Sequence, residues 1–293
     1  MVRVNGVNIV KSVFPNKEIQ FLDFYSVQDK VCRGDGVRLT INERAIPELF
    51  MVDGTIYIDF IYESNADITN LLLYKSYLDN TSPKAKKELT MKFCPYGQSD
   101  RDFPDSLGTM KYFAKLINAA NFDKVTIYDP HSPVITACLD RCEDLYPILS
   151  FDWEKYDLVC YPDAGACKKY SEILETTKYI YGYKKRNLDT GAIIKYEVLA
   201  EKEEVAGKSV LLIDDLVIRG GTYKYAAQAL REMGAASIDL YITHVMPSAR
   251  DFWTNSHKMY GIDNVYSANT LEIPWVDSKE PVAAAEVDES ANN

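Results

Sequence analysis

Residues 209–234, SVLLIDDLVIRGGTYKYAAQALREMG, restrict what this chain can become more than any other stretch. Residues 210–213 form a fully apolar, partly β-branched run, the pattern of a strand buried on both faces. Two adjacent carboxylates follow, Asp214 and Asp215, and then a glycine-bearing loop over residues 216–222. From Tyr223 the period turns helical, with Ala226, Ala227, Leu230 and Met233 on one stripe and Gly234 at the C-cap position. This order suits a phosphorylated sugar. Backbone N–H groups of the loop and helix N-terminus can hold a phosphate. Paired carboxylates can accept hydrogen bonds from a vicinal ribose diol.

The rest of the chain alternates strand and helix. In the first half, strands are expected over residues 7–13, 19–25, 37–41, 55–62, 89–93 and 124–128, with helices over 67–78 and 107–120. In the second half, strands are expected over 158–161, 179–183, 193–199, 237–243 and 265–268, with a helix ending near Leu174. Such alternation implies an α/β fold with a mostly parallel, doubly wound sheet. Ligands of such sheets sit at the carboxyl ends of strands. The polar loops at residues 94–101 and at Asp129-Pro130-His131 occupy such ends. The two halves read as distant copies of one βα plan, and 293 residues suffice for two domains.

A formal net charge of -10 argues against a nucleic-acid surface, although local cations can still serve phosphate ligands. The six cysteines read as reduced and structural: Cys94 and Cys160 sit in apolar runs, and Cys138 and Cys142 have no second pair at zinc-ligand spacing. Neither a signal peptide nor a membrane span is recognisable, so the expectation is a cytoplasmic protein without nucleic-acid or membrane partners. Residues 276–293 are acidic and aperiodic and are expected to be a disordered tail.

The acidic-pair loop resembles the phosphoribosyl diphosphate (PRPP) loop of type I phosphoribosyltransferases and ribose-phosphate pyrophosphokinases. The latter resemblance extends along most of the chain, through Asp100-Arg101, Asp129-Pro130-His131, Pro162-Asp163-Ala164-Gly165, Lys184-Lys185-Arg186, Asp214-Asp215 with Gly220-Gly221-Thr222, and Thr243-His244. Each match is short; the order is what carries the resemblance. It implies two tandem phosphoribosyltransferase-like domains, over residues 1–137 and 138–275, each with a mostly parallel doubly wound sheet. The implied reaction is transfer of the β,γ-diphosphoryl group of ATP to the anomeric hydroxyl of a 5-phosphorylated ribose, releasing AMP.

The resemblance also implies residue roles. Phe14, Gln98, Ser99, Asp100, Arg101 and His131 would bind ATP, and His131 and Asp163 would hold Mg²⁺. Lys184 and Arg186 would act on the transferred group. Asp214, Asp215, Ile218, Arg219, Gly220, Gly221 and Thr222 would receive the acceptor ribose and its 5-substituent. His244 would support the site, and the chain would form a homo-oligomer, dimer-based and as large as a hexamer; His257, with no motif around it, is expected on the surface. Two departures stand out. Gln98-Ser99 replaces an expected Arg-Gln, and Ile218-Arg219 replaces an expected Asp-Thr. The second makes the 5-phosphate pocket more cationic and favours a diphosphate, as in ADP-ribose, over the single phosphate of ribose 5-phosphate. Two rivals share the acidic-pair loop: a phosphoribosyltransferase that consumes PRPP, and a regulatory paralogue without activity.

Overall fold

The structure, a computed structural model, describes residues 2–4, 7–8, 54–186 and 193–276. The turn bearing Phe14, the expected strands over 19–25 and 37–41, the turn over 187–191 and the acidic tail from 277 lie outside the described residues. The chain divides into two compact units, Met1–Leu145 and Tyr146–Asn293. The division falls beyond residue 137 because a strand at Cys142–Leu145 pairs with Lys124–Tyr128 and completes the first sheet.

In the first unit the strands are β1 (Val2–Val4), β2 (Val7–Asn8), β3 (Thr55–Phe60), β4 (Lys86–Met91), β5 (Lys124–Tyr128) and β6 (Cys142–Leu145). They lie in the order β2-β1-β3-β4-β5-β6. The four strands β3 to β6 are parallel, and β1 is antiparallel to β3. Helices α1 (Asn65–Thr81), α2 (Thr109–Ala120) and α3 (Pro133–Cys138) link them. Helix α1 begins before the expected residue 67 because Ser64 and Asp67 form a capping box, with the Ser64 amide donating to Asp67 Oδ2 at 2.9 Å. Cys138 ends α3 and Cys142 opens β6, so the two thiols do not share a helix. The core of this unit packs Ile56, Ile58 and Phe60 of β3 against Leu71, Leu78, Phe113 and Ile117.

The second unit contains β7 (Leu158–Tyr161), β8 (Tyr179–Arg186), β9 (Ile193–Leu199), β10 (Ser209–Val217), β11 (Ser237–Val245) and β12 (Asn264–Ser267), in the order β12-β11-β10-β7-β8-β9. All pairings are parallel except β8–β9. Helices α4 (Ala164–Ile173), α5 (Lys202–Val205) and α6 (Gly221–Glu232) complete the βα units. Leu211 and Ile213 of β10 join Ala166 and Tyr170 of α4 in one cluster. The alternate residues Val210 and Leu212 are equally buried, so both faces of the sheet are covered. Among the described residues no helix is long and apolar enough to cross a membrane.

The chain leaves β7 toward β8 and β9, then returns to place β10 on the other side of β7. The winding therefore reverses between β7 and β10. In open α/β sheets the crevice at that switch point receives the ligand. The loops that follow β7 and β10 are the ones carrying Asp163 and residues 218–220.

Candidate active site

The acidic pair lies inside β10 rather than after it. Parallel pairing to β11 continues through Leu216↔His244 and Val217↔Val245 and keeps both acids in the strand. Helix α6 then starts at Gly221, one half-turn earlier than the periodicity suggests, with Gly220 as its N-cap at φ 79°. That left-handed backbone favours glycine. A Cβ on Gly220 would also lie 2.1 Å from a ring carbon of Phe252, so the loop rests directly on that ring. Ile218 and Arg219 are exposed at the mouth of the loop, as is Gly221, whereas Thr222 is half-buried.

Asp214 is fixed from two sides. The Asp215 amide donates to its Oδ1 at 3.0 Å, and the Tyr223 hydroxyl lies 2.9 Å from its Oδ2. Burial pushes the Asp214 carboxyl well above the ordinary carboxylate range, with the Asp215 and Asp163 carboxylates adding to the rise. Asp215 is buried, and Lys169 of α4 brings its ammonium to 3.6 Å from Oδ2.

Asp163 is the N-cap of α4. Its Oδ1 accepts from the amides of Gly165 and Ala166 at 2.8 and 3.0 Å. Its Oδ2 meets the ammonium of Lys184. Burial raises the Asp163 carboxyl, but the Lys184 hydrogen bond and the two amides outweigh it and hold the group below its ordinary value. The basic residues are part of a strand, not a loop, because β8 pairs with β9 through Arg186. Lys184 faces Tyr196 across that pair, and the Tyr196 hydroxyl donates to the Pro162 carbonyl at 3.2 Å. Adjacent positions of the hairpin thus grip the turn that follows β7. His244 is buried in β11 with Nδ1 2.7 Å from the Thr270 hydroxyl. His257, expected on the surface, is buried and bonds through Nδ1 to the Phe252 carbonyl at 3.0 Å. A π-helical turn over Phe252–Ser256 leads into it and rotates the ring inward.

In the first unit two loops meet at the carboxyl ends of β4 and β5. The Ser132 hydroxyl donates to Asp100 Oδ2 at 3.0 Å. A Cβ on Gly97 would lie 3.8 Å from the Cβ of His131. Ser99 faces α2: its hydroxyl donates to the Leu107 carbonyl at 3.1 Å and accepts from the Thr109 amide at 3.3 Å. Gln98, Arg101 and His131 are exposed. The structure therefore joins Asp100 to the His131 loop within one unit, and Asp163, Lys184, Asp214 and Asp215 within the other.

Lys169, Tyr196 and Tyr223 were not singled out by sequence reading. Lys169 left a signal, lying early in the helix that Asp163 caps, whereas Tyr196 and Tyr223 reach the site through strand pairing and the turn into α6.

Comparison with known proteins bears on the family and the fold. The phosphoribosyl transferase domain model matches residues 168–272. The chain is 30% identical over 247 residues to the ribose-phosphate pyrophosphokinase of Rhizobium meliloti, covering 80% of this chain and 75% of that protein. It is 27% identical over 255 residues to the ribose-phosphate pyrophosphokinase of Methanopyrus kandleri, covering 83% of this chain and 84% of the relative. The crystal structure of phosphoribosylpyrophosphate synthetase from Mycobacterium smegmatis has the same fold, with a TM-score of 0.58 at 21% identity over 75% of this chain and 78% of that one.

Proposed function

Because the chain belongs to the ribose-phosphate pyrophosphokinase family, we propose that it transfers the β,γ-diphosphoryl group of ATP to the anomeric hydroxyl of a 5-phosphorylated ribose, with ADP-ribose preferred over ribose 5-phosphate. The observation that carries this reading is the crevice at the switch point of the second unit. There Asp214 and Asp215, fixed by Tyr223 and Lys169, stand beside a glycine loop at a helix N-terminus, and Asp163 with Lys184 closes the side.

In this reading Asp214 and Asp215 accept the ribose 2- and 3-hydroxyls. Gly220, Gly221 and Thr222 hold the 5-phosphate by backbone and hydroxyl donors. Arg219, exposed at the same loop, bridges oxygens of a second phosphate, a contact that a single phosphate does not need. Lys184 and Arg186 stabilise charge on the transferred group without moving a proton. Within the first unit, Asp100, Arg101, Gln98, Ser99 and His131 bind the nucleotide.

The donor chemistry suits a hard divalent cation. The crevice gathers three carboxylates, Asp163, Asp214 and Asp215, against the two ammoniums of Lys169 and Lys184. Among the described residues no three His, Cys, Asp or Glu side chains form a ready-made metal cage. Mg²⁺ ordinarily uses one or two protein ligands with substrate phosphates and water. Within the second unit Asp163 would hold it, and the bound ion would neutralise charge on the transferred phosphates; His131 would serve the nucleotide phosphates within the first unit.

The test is release of AMP from ATP and Mg²⁺ in the presence of each acceptor. The reading expects AMP with both, and a higher specificity constant with ADP-ribose. Release from ribose 5-phosphate alone would remove the ADP-ribose preference, and release from neither would remove the reaction. A homo-oligomer is part of the same reading and is tested by light scattering of the intact chain.

A further inference from the structure

Tyr223 is given no contact with substrate in the reaction described above, yet its hydroxyl sits inside the crevice. The ring is buried, and the hydroxyl lies 2.9 Å from Asp214 Oδ2 and 2.8 Å from the Leu216 carbonyl. A phenol has one proton, so it donates to only one of these acceptors at a time. The bond to Oδ2 is the one that holds the Asp214 side chain, and the Leu216 carbonyl is the competing acceptor. The ring is held in turn by Phe252, at a centroid separation of 5.8 Å, and Phe252 is the ring on which Gly220 rests.

These contacts link the sugar side of the crevice to the phosphate side. One oxygen of Asp214 faces the Asp215 amide and the other faces Tyr223, so the carboxylate cannot rotate without losing a hydrogen bond. Each oxygen keeps a second lone pair for a ligand hydroxyl. Phe252 supports both the tyrosine and the glycine at the N-cap of α6.

We propose that Tyr223 is a positioning residue for the acceptor: its hydroxyl fixes the rotation of Asp214 so that the carboxylate meets the ribose diol while the 5-substituent rests on the Gly220 loop. This inference rests on the reading of Asp214 as the diol-binding acid. Tyr223 does not touch the ligand and exchanges no proton with it. Its contribution is the preorganisation of Asp214.

The experiment is calorimetric binding of ribose 5-phosphate and of ADP-ribose to the intact chain. It compares wild type, Tyr223→Phe, Asp214→Asn, and the two changes together. Tyr223→Phe is expected to weaken both ligands about tenfold, because both present the same diol. In the Asp214→Asn background the same change is expected to have little further effect, since coupled residues are non-additive. Tyr225→Phe, an exposed ring on the same helix, is expected to bind like wild type. In kinetics, Tyr223→Phe should raise the acceptor KM and leave the ATP KM in place, a split that general loosening of the fold would not give. Unchanged affinity in Tyr223→Phe, or equal weakening with and without Asp214, overturns the positioning role alone. A wild-type chain that binds neither ligand overturns the diol-site reading itself, and the positioning role with it.

Discussion

Lys184 sets its ammonium against the carboxylate of Asp163, so a cation from β8 rests on the acid that caps α4. In the proposed reaction these two groups have different partners, the transferred phosphate and the metal. A divalent cation arriving at Asp163 would compete with Lys184, and the displaced lysine would be free to meet phosphate. In that reading, metal arrival and the readiness of the basic strand would be coupled.

Lys184→Ala is expected to lower turnover about 10²-fold or more, the scale of losing a preorganised charge. Acceptor affinity should change little. With its competitor gone, Asp163 should also reach half-maximal activity at a lower Mg²⁺ concentration. Steady-state rates across a Mg²⁺ titration measure both effects, and near-normal turnover would take this lysine out of the chemistry.

Asp163→Asn should retain the fold, because asparagine is as good an N-cap as aspartate and its oxygen can still accept from Gly165 and Ala166. A neutral amide is a weaker ligand for a hard cation. The expected result is a raised Mg²⁺ requirement with an unchanged circular dichroism spectrum. Unaltered Mg²⁺ dependence would leave Asp163 with capping as its whole role.

Asp214→Asn is expected to raise thermal stability at neutral pH while it weakens acceptor binding. The Asp214 carboxyl is raised by burial, then by Asp215 and Asp163. A group that holds its proton more tightly when folded adds stability at low pH, and that stability is lost as pH rises through the window between the unfolded and folded values. Wild type therefore bears the cost of a buried charge above the ordinary carboxylate range, and the amide does not. The gain in Tm should shrink as pH falls into that range. Paired melts at neutral and acid pH decide this, and a variant less stable than wild type at neutral pH would refute it.

The swap Ile218→Asp with Arg219→Thr tests the acceptor. Both residues are exposed at the mouth of the loop, so the change should leave the fold intact. Arg219 facing a diphosphate is a charge-assisted contact of roughly 1.5–3 kcal/mol. The swap should therefore cut the ADP-ribose specificity constant by about tenfold or more and maintain or increase that for ribose 5-phosphate. A ratio that stays put, or moves the other way, argues against ADP-ribose.

Much of the fold was legible because its strands are written as apolar runs. Strands β5 and β7 match the sequence reading residue for residue, since residues 124–128 alternate around Val125 and Ile127 and residues 158–161 are an apolar run, each with turn residues at its ends. The ends of β8 and β10 were not legible. Their polar residues, Lys184 and Arg186 or Asp214 and Asp215, remain in strand because a neighbouring strand pairs with them, a tertiary fact that local composition does not encode. The acids, the glycine loop and the lysine were visible as types in order. Their supports were hidden: Tyr223 and Tyr196 look like ordinary aromatics, and only the fold carries their hydroxyls to Asp214 and Pro162.

The return of the chain to the far side of β7 has a consequence during synthesis. Strand β7 is buried along all four residues, Leu158, Val159, Cys160 and Tyr161, and one of its two edges is covered only by β10. A nascent chain that has emerged as far as Lys208 can already form β7, α4, β8 and β9, but its most apolar strand then stands at an open edge. An exposed apolar edge invites pairing with other chains. Until the acid-bearing strand emerges, the half-made unit carries its greatest aggregation hazard on the border of its future ligand crevice, and one strand both seals that edge and completes the site.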